Sequence, residues 1–293
     1  MREDRTLVAV PPLTGRVAVV TGATQGIGRE VARGLVKLGA TTVLVGRGAD
    51  RTAAVARSIS GNGSQPAAIP LPVADLAVRA EQYAVTSELT RRYPKIDILV
   101  NNAGGIFTRR EVTADGLERT FALNVLAPFV LTTELTPALR ASGSGRVVNV
   151  ASAAHQGHHV ELDDLQGARR YGGWRAYGRS KLELILLSRE FARRLQGTGV
   201  TVNAVHPGFV RSGFAQNTPG AMRGLVRFTA WVGGRSPERG AQTPLFAATD
   251  PSLAHVTGEY ISNRRVRPGS AASRDPDTAR RLYDACAALA RPA

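Results

Sequence analysis

Short runs of β-branched residues alternate along this chain with longer runs whose apolar side chains recur at helical spacing, and no other feature limits its fold as much. Val17 to Val20 reads as a buried strand. After a glycine-rich turn, Ile27, Val31, Leu35 and Leu38 share one helix face, and Gly39 stops the helix. The pairing repeats with a strand at 42–45 and a helix at 50–60, then a strand at 69–73 and a helix at 79–92. A strand at 96–100 precedes a long helix over 115–141, bent near Pro128 and Pro137. Strands at 147–150 and 200–205 flank a helix over 177–196, and a helix over 237–248 precedes a last strand near 259–261. Strands this continuously apolar leave no face for water, so they require a parallel sheet covered by helices on both sides. The expected architecture is α/β, a doubly wound parallel sheet in a single domain over 1–293, with an N-terminal extension at 1–14. Three segments lack periodicity: 155–173, 209–236 and a C-terminal tail at 266–293.

Composition narrows the partners. The 293 residues are 43% apolar, enough for one large core. The formal charge of +15 comes from 35 arginines and three lysines, scattered in pairs such as Arg91-Arg92, Arg169-Arg170 and Arg193-Arg194. With no C₂H₂, RNP or basic-zipper pattern to organise them, a nucleic-acid partner is not expected. A lone Cys286 excludes an intramolecular disulfide or a cysteine metal site and fits a reducing, cytoplasmic setting. The opening MREDRTLVAVPPLTG mixes charges without a long apolar run, so neither a signal peptide nor a membrane anchor is expected there.

The turn TGATQGIG, Thr21 to Gly28, joins the first strand to the first helix. Gly22, Gly26 and Gly28, with Gln25 and Ile27 between them, suit a backbone that approaches a pyrophosphate at a helix N-terminus. Three glycines also suit any tight strand-to-helix turn, so the position about 20 residues on matters. Nineteen residues past Gly28 stands Arg47, whose guanidinium pairs with the 2′-phosphate of NADP, where an acid would bind the ribose of NAD. NADP(H) is therefore the preferred cofactor. In a different register Asp50 is the ribose acid, which keeps NAD(H) open.

Tyr177 and Lys181 stand at i and i+4 on a helix and share a face. A phenol with a pKa of about 10 is a poor acid–base group near neutrality, but an adjacent ammonium favours the phenolate. The spacing predicts that Lys181 lowers the Tyr177 pKa by several units. A compact ammonium with three donors can also hold ribose hydroxyls, which explains a lysine in so arginine-rich a chain.

Taken with these, NNAG at 101–104, Asn124 in FALN, Ser152 in VNVASAA, YGRSK at 177–181 and HPG at 206–208 follow the order seen in the short-chain dehydrogenase/reductase family, which residues 15 to about 265 resemble. The stretches SAAHQGHHVELDDL, RSKLELILLSREFARRLQGTGVTVNAVHPG and SPERGAQTPLFAA further resemble its retinol dehydrogenase-like and WW-domain oxidoreductase-like branch. The resemblance implies a Rossmann fold and a Ser–Tyr–Lys–Asn site. Tyr177 is then the acid or base, Ser152 orients the substrate oxygen, Lys181 holds the nicotinamide ribose, and Asn124 positions a water relaying protons to Lys181. It further implies that Asp75 and Leu76 contact adenine, that Asn102, Ala103 and Gly104 line the cofactor, and that Pro207, Gly208, Val210 and Ser212 cover the nicotinamide. Ser212 stands where many relatives have Thr.

The implied activity interconverts a carbonyl and an alcohol on a small molecule. The 25 positions from Ser152 to Tyr177 exceed those of many members and agree with the branch. His155, His158, His159, Asp163 and Asp164 in that insert are read as a polar loop, without a metal. The segment 209–236, with Phe214, Met222, Leu225, Phe228 and Trp231, is read as a substrate lid for a lipophilic molecule, and Arg211, Arg223 and Arg227 admit an anionic group on it. The family's habit of pairing through its long helices, here 115–141 and 177–196, suggests a homodimer or homotetramer. The alternative of another class is an NADP-binding scaffold without turnover, although relatives of that kind usually lose a member of the tetrad.

Overall fold

β1 (Val17–Thr21) is buried along its length, as a run of valines and alanine demands, and sits centrally in an eight-stranded sheet. The computed structural model describes residues 12–60, 67–71, 74–210 and 235–291. Its other strands are β2 (Thr41–Val45), β3 (Ala68–Pro70), β4 (Ile98–Asn101), β5 (Arg146–Val150), β6 (Thr201–His206), β7 (Tyr260–Ser262) and β8 (Arg265–Arg267). Their spatial order is β3-β2-β1-β4-β5-β6-β7-β8, parallel except for the antiparallel β7–β8 hairpin. The chain reverses direction across the sheet between β1 and β4, which opens a crevice at the carboxyl ends of the central strands.

One face of the sheet is covered by α1 (Gly26–Lys37), α2 (Ala49–Ser60) and α6 (Pro237–Thr249), the other by α3 (Arg79–Arg92), α4 (Arg119–Ala141), α5 (Gly173–Arg194) and α7 (Pro276–Ala290). The single α/β domain and doubly wound sheet match the expectation. Among the described residues only α4 is long and apolar enough to cross a membrane, and here it packs in the core, with Phe121, Leu126, Leu131, Leu135 and Leu139 fully or almost fully buried.

Three elements differ from the sequence reading. The long helix starts at Arg119 and not at Asp115, because Gly116 takes a left-handed turn (φ +77°) and Glu118 then caps Thr120 N and Phe121 N at 2.8 Å. Asp115 instead accepts a hydrogen bond from Arg79 N at the start of α3. Within α4, residues Ala122–Leu126 form a π-turn, immediately before Pro128, which lacks the N–H that an α-helix needs. The tail at 266–293 is no irregular extension: it carries β8 and the fifteen-residue α7. Ala279, Leu282, Cys286 and Ala290 of α7 are buried, and Tyr283 forms an aromatic cluster with Phe129 of α4 and Phe191 of α5 at centroid distances of 4.9 and 5.1 Å. With α7 in place, every residue of α5 from Ala176 to Ser188 is buried. The α5 surface that the pairing expectation needs is thus occupied by the chain itself.

Candidate active site

The carboxyl ends of β1, β4, β5 and β6 lie side by side, and the chain leaves each of them into a segment with a polar task. After β1, Gly22 and Gly26 take φ of +64° and +56°. A Cβ on Gly22 would stand 2.9 Å from Ala103 Cα, and one on Gly28 would collide with Asn102 Nδ2 and the Gly22 carbonyl. The turn therefore admits only glycine and brings backbone to where a bulky side chain would otherwise stand. Gln25 is exposed in extended conformation at the N-cap of α1 but gives no side-chain cap, and the first turn holds no acid. Its N–H groups and positive dipole end suit an anion there, so the turn fits a pyrophosphate.

Asn102 braces this turn. Its Nδ2 donates to the carbonyls of Thr21 (2.9 Å) and Gly22 (3.2 Å). Thr21, the first residue of the TGATQGIG turn, to which the sequence reading gave no role of its own, accepts from Asn102 N and Ala103 N through its Oγ1 at 3.0 and 2.9 Å. Ile27 and Val210 both pack toward Gly240 of α6, so the first turn and the segment after β6 meet. Arg47 is exposed just past β2. The Asp75 carboxylate accepts from Ala77 N (3.1 Å) and pairs with Arg119 (3.1 Å), while the Leu76 side chain is buried in the core, which leaves backbone and the carboxylate rim for an adenine. Pro207 is buried, Gly208 lies under the Arg235 side chain, and Ser212, with 211–234 as a whole, lies outside the described residues.

Tyr177, Lys181, Ser152 and Asn124 converge. Tyr177 and Lys181 are buried one helical turn apart on α5, with Lys181 Nζ 5.5 Å from the Tyr177 ring centroid and 2.9 Å from the Val150 carbonyl that accepts from it. Ser152, just past β5, hydrogen-bonds the Tyr177 hydroxyl. A Cβ on Gly104 would stand 3.2 Å from Asn124 Oδ1 and 3.4 Å from Lys181 Nζ, so both groups face one point. Asn124, on the π-turn, accepts from Gly105 N at 2.9 Å and donates to the Gly105 carbonyl (2.9 Å) and Ser180 Oγ (3.0 Å). The charge expectation for the tyrosine is reversed: burial pushes the Tyr177 phenol up to about 12, against a lowering hydrogen bond from Ser152, and burial takes Lys181 down to about 8. Burial is the largest cause, and the shift runs opposite to the lowering expected from the Lys181 ammonium.

Sequence reading missed a polar ladder beneath the site, in which Asn101 of β4 donates to Asn149 Oδ1 (2.8 Å) and Asn149 donates to Ser188 Oγ of α5 (2.8 Å). It ties the two strands to the helix that carries Tyr177. The insert is more structural than a polar loop. His155 is fully buried, accepts from Ser270 N (3.2 Å) and stacks edge-on against Tyr260, while Asp164 accepts from Ala168 N and Arg169 N. Among the described residues no three His, Cys, Asp or Glu side chains converge as a metal site would require.

Residues 16–222 match the short chain dehydrogenase family. The chain is a short-chain dehydrogenase. This short-chain dehydrogenase is 38% identical to polyprenol dehydrogenase of Mus musculus, over 97% of this chain and 86% of that one. It is 34% identical to retinol dehydrogenase 13 of Homo sapiens, over 94% and 85%. It therefore belongs to the retinol dehydrogenase-like branch of an oxidoreductase family. Among solved structures it resembles the Pseudomonas aeruginosa RhlG/NADP active-site complex, with a TM-score of 0.68 and 31% identity over 86% of this chain and 96% of that one.

Proposed function

We propose that this short-chain dehydrogenase interconverts a carbonyl and an alcohol on a lipophilic small molecule, with NADP(H) as preferred cofactor and Tyr177 as acid and base. The observation that carries the reading is the convergence of a buried Tyr177, its hydrogen bond with Ser152 and the Lys181 ammonium at the mouth of the central strands. A bound nicotinamide supplies or takes up the two electrons as hydride. Ser152 and Tyr177 hydrogen-bond the substrate oxygen, which gains negative charge in reduction, and Tyr177 delivers the proton. Lys181 holds the nicotinamide ribose with the donors that Val150 does not use. Asn124 has its side chain committed to Gly105 and Ser180, so its main-chain carbonyl, to which Pro128 offers no N–H, is the atom that serves a proton relay to Lys181.

NADP(H) preference rests on Arg47, exposed at the end of β2 where the ribose edge of a dinucleotide lies, and on the NADP named in the RhlG complex. A lipophilic substrate is supported by two half-exposed aromatic rings at the site: Trp174, edge-on to Tyr177 at 6.4 Å and 51% exposed, and Phe209, 58% exposed beside Gly208. The relatives named for polyprenol and retinol point the same way. The test is oxidation of NADPH and of NADH across lipophilic ketones and aldehydes. Turnover should prefer NADPH, fall at least about a hundredfold in Tyr177→Phe and shift toward NADH in Arg47→Asp. Tight NADPH binding without turnover on any member of the panel would favour the scaffold, and a wild-type preference for NADH would overturn the Arg47 assignment.

A further inference from the structure

Arg235, Arg239, Gln242, Thr243, Asn263 and Arg264 line a surface cleft of about 390 Å³ between α6 and the β7–β8 hairpin. Three of its six described lining residues are guanidiniums, and none of those six is an acid. Several guanidiniums of this arginine-rich chain are neutralised close by: Arg193 and Arg194 by Glu190, Arg91 and Arg92 by Glu88, Arg16 by Asp97. Among the described residues, Arg235, Arg239 and Arg264 have no carboxylate within 4.0 Å. The nearest acid in sequence, Glu238, interacts instead with Arg29 and Arg33 of α1.

The backbone supplies an independent observation. Ser262 pairs with Arg265, so Asn263-Arg264 is a two-residue hairpin loop, and these are the only non-glycine residues with positive φ among the described ones, at 53° and 57°. Such loops take Asn readily at the first position and Gly at the second, where an arginine strains the chain. The strain holds a cation at the rim of the cleft. Asn263 also fixes a second one, since its Oδ1 accepts from Arg235 Nη1 at 3.0 Å, and Arg235 N in turn donates to the Phe209 carbonyl at 2.7 Å.

We propose that this cleft binds a phosphate or diphosphate group. Guanidiniums match phosphate oxygens in bidentate fashion, and the Gln242 amide and Thr243 hydroxyl add neutral donors. The ligand is either a soluble phosphate ester or the headgroup of an anionic lipid; both present the same oxygens. Arg235 lies over Gly208, so the cleft borders the segment after β6, but none of its described lining residues is one assigned above to the cofactor or the substrate.

The test uses the full chain saturated with whichever nicotinamide dinucleotide it binds, so that the glycine turn is filled. Inorganic pyrophosphate is titrated calorimetrically, and co-sedimentation is measured with phosphatidylcholine vesicles with and without phosphatidic acid. Wild type, Arg264→Gly, Arg239→Gln and the remote control Arg57→Gln are compared. Pyrophosphate binding that weakens about tenfold or more in both cleft variants and is unchanged in Arg57→Gln supports the site and a soluble ligand. Binding only to vesicles containing phosphatidic acid, with the same variant pattern, supports the site and a lipid headgroup. Arg264→Gly removes the strain as well as the charge, so its Tm should equal or exceed that of wild type, which separates lost binding from lost folding. No binding in either arm, or cleft variants that bind as wild type does, overturns the proposal.

Discussion

Glu183 lies in the middle of α5, 1% exposed, with Arg179 Nε 3.5 Å away. Burial raises its carboxyl to about 7, against a lowering pull from Arg179 and with Glu118 and Glu161 pushing the same way as burial. Between its ordinary 4.5 and 7 Glu183 therefore binds a proton more readily in the folded chain than in the unfolded one, and its contribution to stability falls as pH rises through that window. Glu183→Gln should remove this contribution, so the variant should gain unfolding free energy relative to wild type between pH 5 and pH 8; the same change with pH in both proteins would refute the assignment. Tyr177 carries the other residue-scale expectation. With its phenol near 12 it stays protonated at neutral pH and is ready as an acid, whereas alcohol oxidation needs the phenolate. Oxidation kcat/KM should climb steeply from pH 6 to pH 8 while reduction changes little, and a flat oxidation profile would show that the phenol ionises lower than its burial implies.

α7 decides more at the scale of elements than its place in the sequence suggests. Leu282 is fully buried beneath it, and Leu282→Ala should cost about 2–5 kcal/mol in equilibrium unfolding; a loss under about 1 kcal/mol would mean that the helix does not hold to the body of the protein. The signal for α7 was present, since Ala279, Leu282, Cys286 and Ala290 follow helical spacing, but small residues among arginines make a weak apolar face. β1, β2, β4, β5 and β6 were readable because central parallel strands are continuously apolar. β8 was not, because Arg265-Val266-Arg267 is an exposed edge and its turn has arginine in place of the glycine that marks a hairpin. The tetrad was readable because its residue types and order are specific. What no motif encodes is the desolvation that reverses the Tyr177 shift, or the brace of Thr21 and Asn102 under the glycine turn.

For the whole molecule, the covering of α5 by α7 has a direct consequence for assembly. A pair of chains joined through α5 would have to displace α7 and break the Phe129–Phe191–Tyr283 cluster. Sedimentation at micromolar concentration should therefore find a monomer of 31.0 kDa; a stable dimer would have to use another face. Cys286, fully buried under the same helix, has its thiol raised well above the ordinary range by burial. As the chain's sole sulfhydryl it is a built-in clock: a thiol-specific chromophore should label native protein only as fast as α7 lifts off, so the labelling rate times the opening of this one helix while the rest of the domain stays folded.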